Sequence, residues 1–138
     1  MKLLTKESDY AIRAVMNLAR HGNGFVSSRQ IAQEEQIPLQ FLRRILVTLT
    51  KHGIVESKEG IAGGARLRVS PDTVRLADLI RIFQGRIQLS ECMFRKRLCA
   101  NRRTCVLRKR IANIERLVAT EFEKITIGDL IKDLEEAS

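Results

Sequence analysis

Between residues 5 and 20 the apolar side chains Ile12, Val15, Met16 and Ala19 recur at helical spacing, and Glu7 and Asp9 fall in the first turn. Negative charge at that end complements the helix dipole, so a first helix is predicted here. Gly22 and Gly24 end it. Ser27 opens a second helix, with Gln30 as its capping-box partner and Ile31 and Ala32 as buried positions. Gln36-Ile37-Pro38 interrupts this short helix, and Pro38 suits the first position of the next, whose first amide needs no internal partner. The third helix, over residues 38–52, has the cleanest pattern in the chain. Leu42, Ile45, Leu46 and Leu49 form one apolar stripe, leaving Gln40, Arg43, Arg44, Thr48 and Lys51 on the other side. Two helices joined by a tight turn, with a basic outer face on the second, have the form of a helix-turn-helix. An ordinary helical hairpin whose basic face meets only water has the same pattern.

The next stretch favours the first reading. Gly53 ends the helix, and residues 54–58 and 65–69 read as two short strands; in the second, Ala65, Leu67 and Val69 alternate with Arg66 and Arg68. Between them Glu59-Gly60-Ile61-Ala62-Gly63-Gly64 closes a β-hairpin. A hairpin directly after a helix-turn-helix is a wing, from which Lys58, Arg66 and Arg68 would reach phosphates. The glycines do not form a nucleotide-phosphate loop, since neither the strand-then-helix context nor the spacing is present. A fourth helix is predicted over residues 73–84, burying Leu76, Leu79, Ile80 and Phe83. Residues 85–104 show no sustained period. Beyond them Leu107, Ile111, Ile114, Val118, Phe122 and Ile125 recur at intervals of 4, 3, 4, 4 and 3, a heptad-like seam. Little of the domain remains to cover that seam, so it is expected to pair with a second copy; packing against the first helix is the alternative. Thr126-Ile127-Gly128-Asp129 starts a terminal helix with Leu130, Ile131 and Leu134 buried. The expected fold is mainly α, a winged helix-turn-helix with a small hairpin wing and a long dimerisation helix. It divides into a DNA-binding part (1–84), a cysteine-containing loop (85–104) and a dimerisation and C-terminal part (105–138).

Composition sharpens this picture through where the charge sits. The 138 residues carry a formal charge of +9, and residues 81–110 alone hold 10 basic side chains against one acid, Glu91. All three cysteines, Cys92, Cys99 and Cys105, fall inside that basic stretch. Six aromatic residues are too few for a single-strand binder built from stacking platforms. No apolar run approaches the ~20 residues of a membrane span, and the opening residues carry no secretory core, so a cytoplasmic protein is expected. An odd number of cysteines there argues against a disulfide framework. Thiolate is the metal-binding form of cysteine, and Arg95, Lys96, Arg97, Arg102 and Arg103 favour it electrostatically. Soft thiolates select iron–sulfur clusters, zinc or Cu(I). The intervals here are wider than those of structural zinc sites and suit a polynuclear object better. Bare thiol redox chemistry and zinc stay open at this point. His21 and His52 read as surface or helix-end residues, far from the cysteines in sequence. No acid/base pair, nucleophile with a nearby histidine or phosphate loop supports an enzyme.

Taken together, these residues resemble the IscR/NsrR-type winged-helix iron–sulfur cluster regulators over essentially the whole chain. The likeness runs from Leu4-Thr5-Lys6 and Asp9-Tyr10-Ala11 through Ile31-Ala32 and Leu42-Arg43-Arg44-Ile45-Leu46 with Leu49. It continues in the wing Gly60-Ile61-Ala62-Gly63-Gly64 and in the three cysteines before a long helix. The resemblance implies a homodimer that binds a roughly palindromic duplex and an iron–sulfur cluster held by Cys92, Cys99 and Cys105. DNA affinity would depend on the cluster's state, and a metal-free thiol switch is the alternative. Arg43, Arg44 and Gln40 are the candidates for base edges, and Arg29, Lys51, Lys58, Arg66 and Arg68 for phosphates. There are departures. The first cysteine interval is longer than in most of the group, and Arg108 stands where IscR-like members carry a histidine. Glu59 replaces a wing arginine, and Gln40, Phe41 and Arg43 differ at the positions that choose bases, so the target sequence does not carry over. Three cysteines leave a cluster one protein ligand short. Asp9 matches the acidic position that NsrR-like members use, from the opposite subunit, as an oxygen ligand; Glu91 is its competitor. With that ligand a four-iron cluster is favoured over a two-iron one.

Overall fold

The computed structural model describes residues 3–89 and 106–138. Helices α1 (Lys6–His21), α2 (Ser28–Glu35) and α3 (Leu39–Lys51) are followed by strands β1 (Val55–Lys58) and β2 (Gly64–Leu67). A 3-10 turn (Pro71–Thr73) leads to α4 (Leu76–Gln84), and α5 (Val106–Lys124) and α6 (Ile127–Ala137) complete the chain.

Local chemistry sets the boundaries. Thr5 caps α1 by accepting from the Ser8 amide at 3.2 Å, and Ser27 caps α2 through the Gln30 amide at 3.1 Å. Gln36 ends α2 in the left-handed region (φ 55°). Pro38 sits one residue earlier than predicted, as the N-cap of α3, with its carbonyl accepting the first helical bond from Leu42 at 2.9 Å. The strands pair antiparallel, with Glu56 opposite Arg66 and Ser57 opposite Ala65. Val26 adds a bridge to Ala65 through two 2.8 Å bonds. The second strand stops at Leu67, so Val69, expected inside, is exposed.

Ala11, Val15 and Leu18 of α1 meet Ile31, Leu42 and Leu49 in one core, closed by Val55, Leu79 and Ile127. Two polar side chains are buried with them, Ser8 and Asn17. Asn17 donates to Glu34 at 3.2 Å and to Glu35 at 2.9 Å, tying α1 to α2. His21 lies 2.9 Å from Glu34, and these hydrogen bonds, His21's first, hold the Glu34 carboxyl below its ordinary range.

The predicted fourth helix is broken in two, because its first turn is used for pairing. The Leu76 amide donates to the Ile125 carbonyl at 2.9 Å and the Ile127 amide to the Val74 carbonyl at 2.8 Å. Extended backbone at Val74 and Arg75 is needed for that bridge and is incompatible with helix there. Thr126 and Asp129 form the expected reciprocal capping box, at 2.9 and 3.0 Å. The bond from the Thr126 amide to the Asp129 carboxylate, and then the Thr126 side chain, lower the Asp129 pKa.

The long helix corrects the reading of a single seam. Val118, Phe122 and Ile125 pack against the protomer's own core, beside α4 rather than α1. Further toward the N-terminus, Leu107 (64% exposed), Ile114 (48%) and Leu117 (67%) remain uncovered, and no residue of α5 is buried. Glu115 accepts from the Leu89 amide at 3.1 Å, fastening the chain after α4 to the middle of α5.

Candidate nucleic-acid interface and cysteine segment

Helix α3 exposes Gln40, Arg43, Arg44, Val47, Thr50 and Lys51 on the side opposite its buried stripe. No acidic residue interrupts that face. Arg43 and Lys51 have no side-chain partner among the described residues, so their charge is free for a ligand. Arg44 lies over the Phe41 ring, 4.9 Å from its centroid, which holds the guanidinium against the helix. Arg29, in the first turn of α2, and Arg68, just after β2, are likewise exposed and unpaired among the described residues.

The wing is anchored beside this face. Thr50 of α3 and Ser57 of β1 approach to 3.4 Å through their hydroxyls. Phe25, just before Val26, is the platform under the hairpin: Arg66 lies 4.4 Å and Lys58 5.8 Å from its ring centroid. Arg66 also pairs with Glu56 across the strands and donates to the Asn23 carbonyl at 3.2 Å. It is therefore an internal brace of the wing as well as a surface cation, whereas Lys58 is exposed. Alternation along β2 pointed Arg66 outward correctly; the partner came from the register, which puts Glu56 opposite it. Close approach fixes the glycines: a Cβ at Gly63 would sit 2.1 Å from the Lys58 carbonyl oxygen, and one at Gly64 2.1 Å from that of Val26.

Asp9 lies exposed on α1, its carboxylate 3.3 Å from Arg13 as an ion contact without the alignment of a hydrogen bond. Arg13 in turn donates to the Glu35 carbonyl at the end of α2 (2.8 Å) and lies 4.9 Å from the Tyr10 ring centroid. Tyr10 packs edge-to-face with Phe41. A continuous set of contacts thus leads from Asp9 through Arg13, Tyr10 and Phe41 to Arg44. Helical spacing accounts for the steps within α1 and within α3, but not for the one between Tyr10 and Phe41, which crosses between the two helices. Val47, 54% exposed on the basic face, is a second residue the apolar-stripe reading passed over.

Cys92, Cys99 and Cys105 lie outside the described residues, as does Glu91. Arg108 is exposed on α5. Among the described residues no cluster of His, Cys, Asp and Glu could hold a metal ion. His21 and His52 behave as expected of surface residues: one bonds Glu34, and the other lies 3.1 Å from the Thr48 carbonyl. No described helix is long and apolar enough to cross a membrane.

Comparisons with known proteins agree with the architecture. Residues 4–133 match the Rrf2 family, described as an iron-dependent transcriptional regulator. The transcriptional regulator NsrR of Bacillus subtilis (strain 168) is 31% identical over 137 residues, covering 96% of this chain and 92% of that one. The structure of T. potens IscR superposes with a TM-score of 0.80 at 26% identity, covering 100% of this chain and 91% of the other. The structure of CymR, described as the global cysteine regulator of B. subtilis, also gives 0.80 at 26% identity, over 96% and 98% of the two chains.

Proposed function

This chain belongs to the Rrf2 family of transcriptional regulators, and we propose that it is a homodimeric DNA-binding regulator whose affinity for its operator is set by an iron–sulfur cluster. Members of the family are regulators rather than enzymes. The observation that carries the DNA reading is the acid-free exposed face of α3 with the hairpin fastened beside it through Thr50 and Ser57. In a dimer two such helices enter successive major grooves about one turn apart on a roughly palindromic site. Gln40, Arg43 and Arg44 read base edges, and Val47 adds an apolar surface suited to a thymine methyl. Arg29, Lys51, Lys58 and Arg68 neutralise phosphates. Arg66 divides its charge between that role and bracing the wing through Glu56.

Dimerisation is assigned to the uncovered half of α5, around Leu107, Ile114 and Leu117, since the other half is occupied by its own core. Cys92, Cys99 and Cys105 supply the thiolates, and their arginine-rich surroundings suit an anionic centre. Asp9 fits the remaining position: it is exposed, and only a loose contact with Arg13 holds it. When bound, the cluster supplies a centre that reacts with oxidants or nitric oxide, and a four-iron form is favoured. Ligation of Asp9 would clamp the first turn of α1, and its release would loosen Arg13, Tyr10 and Phe41 beneath the recognition helix. The cytoplasm is the matching compartment.

The likeness to the cysteine regulator CymR supports a second reading, in which the same cysteines act as a thiol switch without metal. Anaerobic purification separates the two. A brown protein with iron and sulfide in stoichiometric amounts, whose DNA affinity changes when the cluster is removed, supports the first reading. A colourless protein whose affinity responds only to thiol oxidants establishes the second. Mössbauer spectra of the brown form give the cluster nuclearity.

A further inference from the structure

Ile61 stands at the tip of the wing with 109% of its reference surface exposed. No other large apolar side chain of the described residues is so bare; the next, Val106, is 76% exposed and adjoins the cysteine segment. A single exposed apolar side chain is ordinary on a protein surface; what sets this one apart is the turn that carries it. The turn is built. The Gly63 amide donates to the Gly60 carbonyl at 3.1 Å, and Gly63 and Gly64 are locked by backbone at 2.1 Å from any Cβ. Arg66, Glu56 and Phe25 stiffen the strands below. The hairpin therefore presents one apolar side chain at a fixed height, with only Gly60, Ala62 and Gly63 beside it.

We propose that Ile61 is an apolar wedge that enters the minor groove next to the half-site read by α3 and partly opens one base step. The proposal rests on the DNA-binding reading above. Three features favour this occupant. The wing is tied to the exposed face of α3, so it lies beside whatever that face binds. A glycine-flanked tip is slim enough for a groove about 6 Å wide, and isoleucine is among the side chains that wedge between stacked bases. Glu59, exposed next to the tip, rules against reading the groove by positive charge, while Lys58 and Arg68 lower on the hairpin remain able to hold the flanking phosphates. Wedging is easiest at flexible pyrimidine–purine steps, so Ile61 would select TA or CA/TG at a position no polar side chain contacts.

The test uses the full-length protein, purified anaerobically, and duplexes enriched from a random pool by the wild type. 2-Aminopurine is then placed at each step flanking the half-site. The expected result is a fluorescence rise at one pyrimidine–purine step per half-site that Ile61→Ala abolishes and Ile61→Leu preserves. Ile61→Ala should bind the enriched duplex about 10- to 100-fold more weakly, with an unchanged salt slope and unchanged affinity for random DNA. Because Ile61 touches nothing, both variants should melt as the wild type does. Equal affinity and no fluorescence change in Ile61→Ala overturns the proposal. So does an equal loss on all duplexes with a shallower salt slope, which would make the tip a phosphate contact. A wild type that enriches no duplex sinks the DNA reading itself, a result distinct from either.

Discussion

The rings of Tyr10 and Phe41 meet edge-to-face, with centroids 5.4 Å apart and planes at 86°. One ring belongs to α1 and the other to the recognition helix, whose Arg44 rests on the same Phe41. The pair makes the orientation of α3 depend on the helix that carries Asp9.

That dependence is measurable. Edge-to-face pairs contribute about 0.5–1.5 kcal/mol beyond burial, so a double-mutant cycle of Tyr10→Leu and Phe41→Leu in urea should return a coupling of that size. Phe41→Leu should also weaken specific DNA binding, by freeing Arg44. A coupling near zero would remove Tyr10 from the path.

Base reading and phosphate contact separate by salt dependence. Arg43→Ala should cost ~1–3 kcal/mol and relax preference at one base pair. Lys51→Ala should weaken all sequences alike and reduce the salt slope by about 1. Both are seen in anisotropy titrations at several salt concentrations. A uniform loss for Arg43→Ala moves it to the phosphate class.

The two halves of α5 predict different failures. Ile114→Asp should give folded monomers by sedimentation velocity, because an unpaired charge buried at an interface costs several kcal/mol. Val118→Asp should instead lower the thermal midpoint of each protomer, since Val118 lies against its own core. Dimers that survive Ile114→Asp would place the interface elsewhere.

Asp9→Ala isolates the candidate oxygen ligand. The side chain is exposed and its ion contact with Arg13 is worth at most about 0.5 kcal/mol, so folding and dimerisation should persist. The cluster's spectra should change, and DNA affinity should cease to follow cluster loss. Unchanged spectra and coupling would pass the position to Glu91 or to solvent.

Acid should act through Glu34. Its carboxyl is held below the ordinary value of 4.5, chiefly by the hydrogen bond with His21 and then by that with Asn17. A depressed pKa contributes stability above the unfolded value and loses it as pH falls through the folded one. Urea midpoints should therefore drop below about pH 4.5 in the wild type, and the drop should be shallower in Glu34→Gln. Parallel curves would assign the acid sensitivity to other carboxylates.

The helices of the winged part were legible because their apolar stripes face one core and their caps are local: Thr5, Ser27 and Thr126 each bond an amide three residues away. What escaped depends on pairings between distant segments. The break at Val74 exists only because Ile125 and Ile127 arrive to pair with it. The seam of α5 looked continuous because period alone does not distinguish Phe122, packed on its own core beside α4, from Ile114, left 48% exposed. On the interface face the charges were visible in the sequence, but Phe25 as the platform for Arg66 and Lys58 was not, since it lies outside any periodic element.

The bridge between Val74–Leu76 and Ile125–Ile127 bears on how such a protein can be re-engineered or recombined. Ile127 is fully buried in the core that α1, α3 and α4 share, and its amide closes a bond to Val74. Residues 1–84 grafted onto a foreign oligomerisation arm would carry an open hole where Ile127 sits and an orphaned carbonyl at Val74. The modular unit is accordingly the chain from α1 through α6. Exchange of sensing between regulators of this shape would have to proceed by replacing the segment between Leu89 and Val106 in place, with both of its flanks retained.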